Sequence, residues 1–239
     1  MLGPIFLREV LVGPRRPGHF ATRAAFLGGL WVLALTAWLA TLGWSRPATL
    51  GESARLGPLL FQLLTYVQLA LFLFFSALSC ASAIAKEKDR RTFVLLLMTD
   101  LGNAEIVLGK VLGSLLPLLT QLVLSIPLLV MLMLLGGTGL DQVAQAVLVM
   151  AATTLAAGSL GGLVALWREK TFPALALTTL FLVFYLLVVR GLALVPGLDP
   201  ETGRWLAERL EPFFALHAAQ QPVLEDAPGL PPAYAYCLA

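Results

Sequence analysis

Charged residues are scarce in this sequence: Asp, Glu, Lys and Arg make up 13% of 239 residues, against about 25% in an ordinary soluble domain. So few charges cannot wet a globular surface of that size, which excludes a soluble enzyme and a disordered tail. Cysteine and histidine are scarcer still, with two of each. Cys80 lies in an apolar run and Cys237 close to the last residue, so a disulfide framework has no support. His19 and His217 each lack a second ligand three or four residues away, which leaves no metal-binding pattern. A net charge of +2 is too small to point to a nucleic-acid partner. The N-terminal apolar run, 24–42, is too long for the core of a signal peptide. What is abundant is apolar surface, 59% of residues at a mean hydropathy of +0.86. A bilayer core about 30 Å thick takes roughly 20 apolar residues per helical span, so the chain has material for several.

Residues 2–12 place Leu2, Ile5, Phe6 and Val10 on one helical face, and the segment breaks at the Pro- and Gly-rich stretch 13–18. Too short to span and too apolar for water, region 1–18 is expected to be an interfacial elbow helix lying on lipid. Five spans are expected at 24–43, 58–84, 108–135, 142–166 and 172–195, followed by a proline-rich external region at 196–233. With the N-terminus inside, eleven of the sixteen Lys and Arg face the cytoplasm and five face out, which favours that orientation.

Inside the spans, charge is missing where ion-coupled carriers need it. No span holds Asp, Glu, Lys or His near its centre. Ser159 has no histidine in a plausible span to act as its base, and no phosphate-binding loop is present. Energy for any uphill movement must therefore come from another subunit, and an intramembrane enzyme lacks a catalytic set. The polar residues that remain are mild. Gln62, Ser114, Gln121, Ser125, Thr153 and Thr154 are candidates for lining a path or for helix packing. Gly158 and Gly162 form a G-x-x-x-G, a pattern that lets helices approach closely in lipid.

The exception is the stretch 85–107. It opens with six consecutive charged residues, 86–91, four of them positive. Glu87 can pair with Arg90 and Arg91 at helical spacing, and Phe93, Leu96 and Leu97 then form an apolar stripe. Asn103 suits the start of the next helix, with Glu105 in its first turn. The expected result is a cytoplasmic amphipathic helix joining spans two and three. The turn at 167–171 is a second, shorter charged connection.

This segment resembles the one that follows the second span of ABC-2-type transporter permeases. The resemblance is carried in order and spacing by Ala85, Glu87, Lys88, Asp89, Arg90, Thr92, the leucines 95–97, Thr99, Glu105, Ile106, Gly109 and Lys110. Asp100 departs from it, since the family commonly has proline there. The family usually has six spans against the five found here, so the chain is expected to continue beyond residue 239.

The resemblance implies an all-α polytopic permease with a coupling helix at 86–98, seated on a separate ATP-binding subunit. Glu87, Lys88, Arg90, Arg91, Thr92 and Phe93 would contact that ATPase, and Arg168, Glu169 and Lys170 would make a second contact. It further implies a homo- or heterodimer of permease subunits in the plasma (inner) membrane. No cofactor is expected in this chain, because ATP and Mg would be held by the partner. Export is the implied direction. A non-transport assembly or sensory subunit on the same scaffold is the alternative.

Overall fold

A computed structural model of the chain describes residues 17–42, 50–89, 103–168, 170–192, 205, 209–221 and 232–238. All regular structure among them is helical: α1 (Pro17–Leu42), α2 (Leu50–Asp89), α3 (Asn103–Met133), α4 (Leu140–Trp167), α5 (Thr171–Leu192), α6 (Pro212–Gln220) and α7 (Pro232–Leu238). Five of these are long and apolar enough to cross a bilayer, over Phe20–Thr41, Leu56–Asp89, Val107–Met133, Leu140–Trp167 and Thr171–Gly191. They coincide with the five spans expected from the sequence. The expected elbow helix, 1–18, lies outside the described residues apart from Pro17 and Gly18, which begin α1.

One boundary is corrected. The sequence places the end of the second span at 84 and a separate helix from 86, yet α2 runs without a break through Asp89. No glycine or proline occurs between Pro58 and Gly102, and Ala, Lys and Glu favour the helix they extend. At 1.5 Å per residue the 40 residues of α2 reach about 60 Å, twice the hydrocarbon thickness. The helix must therefore project from the membrane, and the charged residues 86–89 sit on such a projecting end.

The third helix passes through Pro117 and Pro127 as one element and stops at Met133. Its last turn tightens, with the amides of Leu134, Leu135 and Gly136 donating to carbonyls three residues back at 3.1, 3.1 and 3.0 Å. Gly136 and Gly137 then take positive φ, 94° and 80°, a conformation that glycine adopts without steric cost. That turn feeds directly into α4.

The chain packs as two units. The first takes Leu71–Thr120 and Thr153–Leu187 together with Met1–Thr22, and the second takes Arg23–Ala70, Gln121–Ala152 and Val188–Ala239. In the first unit, Ala77, Ala81 and Ala85 of α2 are buried, as are Ala157, Gly161 and Ala165 of α4. Each set recurs every fourth residue, so each helix presents a stripe of small side chains. A Cβ added at Gly161 would lie 2.1 Å from the Ala77 carbonyl oxygen. Backbone meets backbone there, as small-residue faces allow in lipid. In the second unit, Phe61, Leu64, Leu69 and Val149 are fully buried, and the Tyr66 ring stacks on Phe213 of α6 at 6.3 Å and 6°. Gly57 approaches the α3–α4 turn so closely that a Cβ would sit 2.1 Å from the Gly136 oxygen.

After α5, Trp205, Arg209 and Leu210 are helical among the described residues. In the structure, α6 begins at Pro212, and Glu211 is only 4% exposed. Arg190, at the end of α5, forms an ion pair with it, which is what makes a buried carboxylate tolerable. Arg209 lies over the Trp205 ring, 4.2 Å from its centroid.

Candidate functional site

Three consecutive side chains end α2, and each reaches a different helix of the first unit. Glu87 accepts from Lys110 Nζ of α3 at 2.5 Å. Lys88 Nζ donates to the carbonyl oxygens of Ala165 at 3.3 Å, of Leu166, and of Arg168 at 3.3 Å. Those carbonyls belong to the end of α4, where the last C=O groups lack intrahelical donors and the dipole favours a cation. Asp89 Oδ2 accepts from the Thr171 amide at 3.2 Å and from the Thr171 hydroxyl. That amide opens α5, so Asp89 caps a helix N-terminus through space much as a local cap would.

The local reason is helical geometry. Successive residues step about 100° around the axis, so three in a row fan across most of the circumference. A continuous α2 can thus address α3, the end of α4 and the start of α5 from a single turn. The underlying seam brings those termini within reach. Ala81, Ile84, Ala85, Ala165 and Ala174 form a buried cluster there, flanked by Val111, Leu166 and Leu175.

Sequence reasoning chose Glu87 and Lys88 as contacts for a partner, and the structure brings both into contacts within the chain. Lys86, Arg168 and Lys170 are exposed beside them. Arg90, Arg91, Thr92, Phe93 and Glu169 lie outside the described residues. The turn at 167–171 is short, as expected: α4 ends at Trp167 and α5 begins at Thr171.

The mild polar residues divide. Ser114 works in packing: its backbone oxygen accepts from the Ser79 hydroxyl at 3.1 Å, and its hydroxyl lies 2.9 Å from Cys80 Sγ. Thr153 and Thr154 are buried in the same unit. Ser125 is buried and donates to the Leu122 carbonyl at 2.8 Å, while Gln121 is half-buried and Gln62 exposed. These three belong to the second unit.

Both glycines of the G-x-x-x-G serve close packing. A Cβ at Gly158 would meet Leu115 Cδ2 at 2.7 Å, and one at Gly162 would meet Val111 Cγ2 at 3.0 Å. The tightest approach on α4 is at Gly161, which sequence reasoning passed over. Its signal was available as the Ala157–Gly161–Ala165 spacing, offset by one residue from the more familiar motif.

Five apolar helices with a charged, projecting end define a multi-pass helical membrane protein. The sequence profile described as ABC-2 family transporter protein matches residues 54–216, more than half of the chain, and the chain belongs to that family. It is accordingly a permease subunit of an ABC transporter, a family whose members work with an ABC ATPase. No curated protein matches it in sequence.

Proposed function

We propose that this chain couples ATP hydrolysis in a separate ATPase subunit to export across the plasma membrane, through the charged terminus of α2. The observation that carries the reading is the triple engagement of Glu87, Lys88 and Asp89 with three other helices. A push delivered to segment 86–102 would move α3, α4 and α5 together, because no one of them can shift without losing a charge-assisted hydrogen bond.

The exposed Lys86, Arg168 and Lys170 supply the face for the ATPase, with Arg90 and Arg91 following on. Charges at such an interface set register and partner choice. Within this reading the N-terminus is cytoplasmic, as the positive-inside asymmetry favours. Two permease subunits assemble, and ATP with its Mg stays in the partner.

The test is co-purification from membranes of the permease with its ATPase. Reversing Arg168 and Lys170 to Glu is expected to abolish recovery of the ATPase while membrane insertion stays normal. Undiminished recovery would overturn the docking assignment. A Lys88→Met variant is expected to recruit the ATPase but to lose stimulation of ATPase activity by transport substrate.

A further inference from the structure

The turn between α4 and α5 carries more positive charge than the fold uses. Its two helix ends are already answered from α2: Lys88 reaches the closing carbonyls of α4, and Asp89 accepts from the Thr171 amide that opens α5. With those ends satisfied, Arg168 and Lys170 stand exposed in the turn. Lys86 is exposed as well. It precedes Asp89 by three residues, so it shares the side of α2 that meets the start of α5. Among the described residues no carboxylate forms an ion pair with any of these three cations, Glu87 being taken by Lys110. The charge count agrees. Positions 86–89, 110, 168 and 170 hold five cations against two carboxylates, and Arg90, Arg91 and Glu169 raise the surplus by one more.

Two rings bracket the turn. Trp167 closes α4 and Phe172 is the second residue of α5, and each is 82% exposed. Both helices are membrane spans, so the turn joining them lies where hydrocarbon gives way to headgroups. Aromatic rings at that level rest against the glycerol region, while Lys and Arg side chains reach outward to the phosphates. An anionic lipid meets both demands, with a phosphate for the cations and a glycerol backbone for the rings. A free phosphate would leave the rings unused. A zwitterionic headgroup would bring a cation of its own to a patch that is already positive. Arg168 offers parallel N–H donors to a phosphodiester, and the two ammonium groups add charge.

We propose that the α4–α5 turn, together with Lys86, binds the phosphate of an anionic glycerophospholipid. The coupling reading gives the same cations to the ATPase, so the lipid holds them while no ATPase is seated. The lipid site is measured on the permease alone and stands or falls apart from docking.

The test places the full chain in phosphatidylcholine nanodiscs with and without phosphatidylglycerol. Native mass spectrometry reads the lipid retained by the protein, and thermal unfolding is followed in parallel. Preferential retention of phosphatidylglycerol and a higher unfolding temperature in its presence are expected. Lys170→Gln is expected to lower the preference about fivefold, and Arg168→Gln with Lys170→Gln about thirtyfold, as for one and two cations lost beside an anionic surface. Both variants should unfold like the native chain in phosphatidylcholine alone, because the side chains they replace are exposed. Arg209→Gln, which removes a cation from the Trp205 ring instead, is expected to leave the preference unchanged. No preference for phosphatidylglycerol, an equal loss in Arg209→Gln, or equal stabilisation by inorganic phosphate in phosphatidylcholine each overturns the proposal.

Discussion

The end of α2 and the hydrogen-bonded network that joins Gln142, Gln220 and Thr65 in the second unit handle polar groups in opposite ways. At the end of α2 the side chains are fully charged, and each meets a complement: an ammonium, a set of helix-end carbonyls, a helix-start amide. In the network the groups are neutral amides and hydroxyls, with Gln142 Nε2 donating to the Gln220 carbonyl at 2.9 Å and Gln220 Nε2 to Thr65 Oγ1 at 2.6 Å. Saturated charges act as fasteners, because removing any one strands another. Neutral groups in such a network can lose a member without stranding a charge.

The seam beneath the fasteners should give the largest effect. Gly161→Val would drive a branched side chain into the Ala77 backbone, which cannot retreat as a side-chain tip can. Overpacking of this kind costs about 3 kcal/mol or more, and thermal unfolding in detergent should show little folded protein. Gly162→Ala, facing a methyl at 3.0 Å, should cost far less in the same assay. Near-equal stabilities would show that the seam is looser than its geometry.

Lys88→Met comes next. It keeps the stem but strands the end of α4, for about 1.5–3 kcal/mol as expected for a charged donor. Chemical denaturation monitored by tryptophan fluorescence reads this directly. Glu87 and Lys110 are each about a quarter exposed, so a double-mutant cycle on the pair should return only about 0.5–1 kcal/mol. A coupling energy near zero would reduce that link to a surface contact. Thr138→Val should be the mildest of all, within about 0.5 kcal/mol of neutral, because an orphaned hydroxyl contributes nothing when it is removed. Strong destabilisation there would erase the distinction between charged and neutral fastenings.

The five spans were legible because lipid leaves little choice: about 20 apolar residues without charge have to form a helix. The start of α3 at Asn103 and the short turn before Thr171 were legible from local chemistry. The extension of α2 through Asp89 was not, because a charged run after an apolar one looks like the end of a helix when only polarity is followed. Propensity, and the lack of any breaker before Gly102, decided otherwise. Gly161 was hidden by a neighbouring motif in a double-glycine stretch. The pairing of Glu211 with Arg190 and the bonds that link Gln142 to Gln220 and Gln220 to Thr65 join residues 21, 78 and 155 positions apart in sequence, and single-residue patterns carry no record of such distances. The roles assigned to 90–93 fall outside the described residues.

The two cysteines, which disclosed nothing as a disulfide pattern, provide a built-in reporter. Cys80 is buried, its thiol against Ser114 of α3, while Cys237 is exposed on α7. A membrane-permeant maleimide should therefore modify Cys237 promptly and Cys80 only when α2 and α3 part. The native chain can in this way time the opening of its own seam during turnover, with one thiol as the clock and the other as its reference.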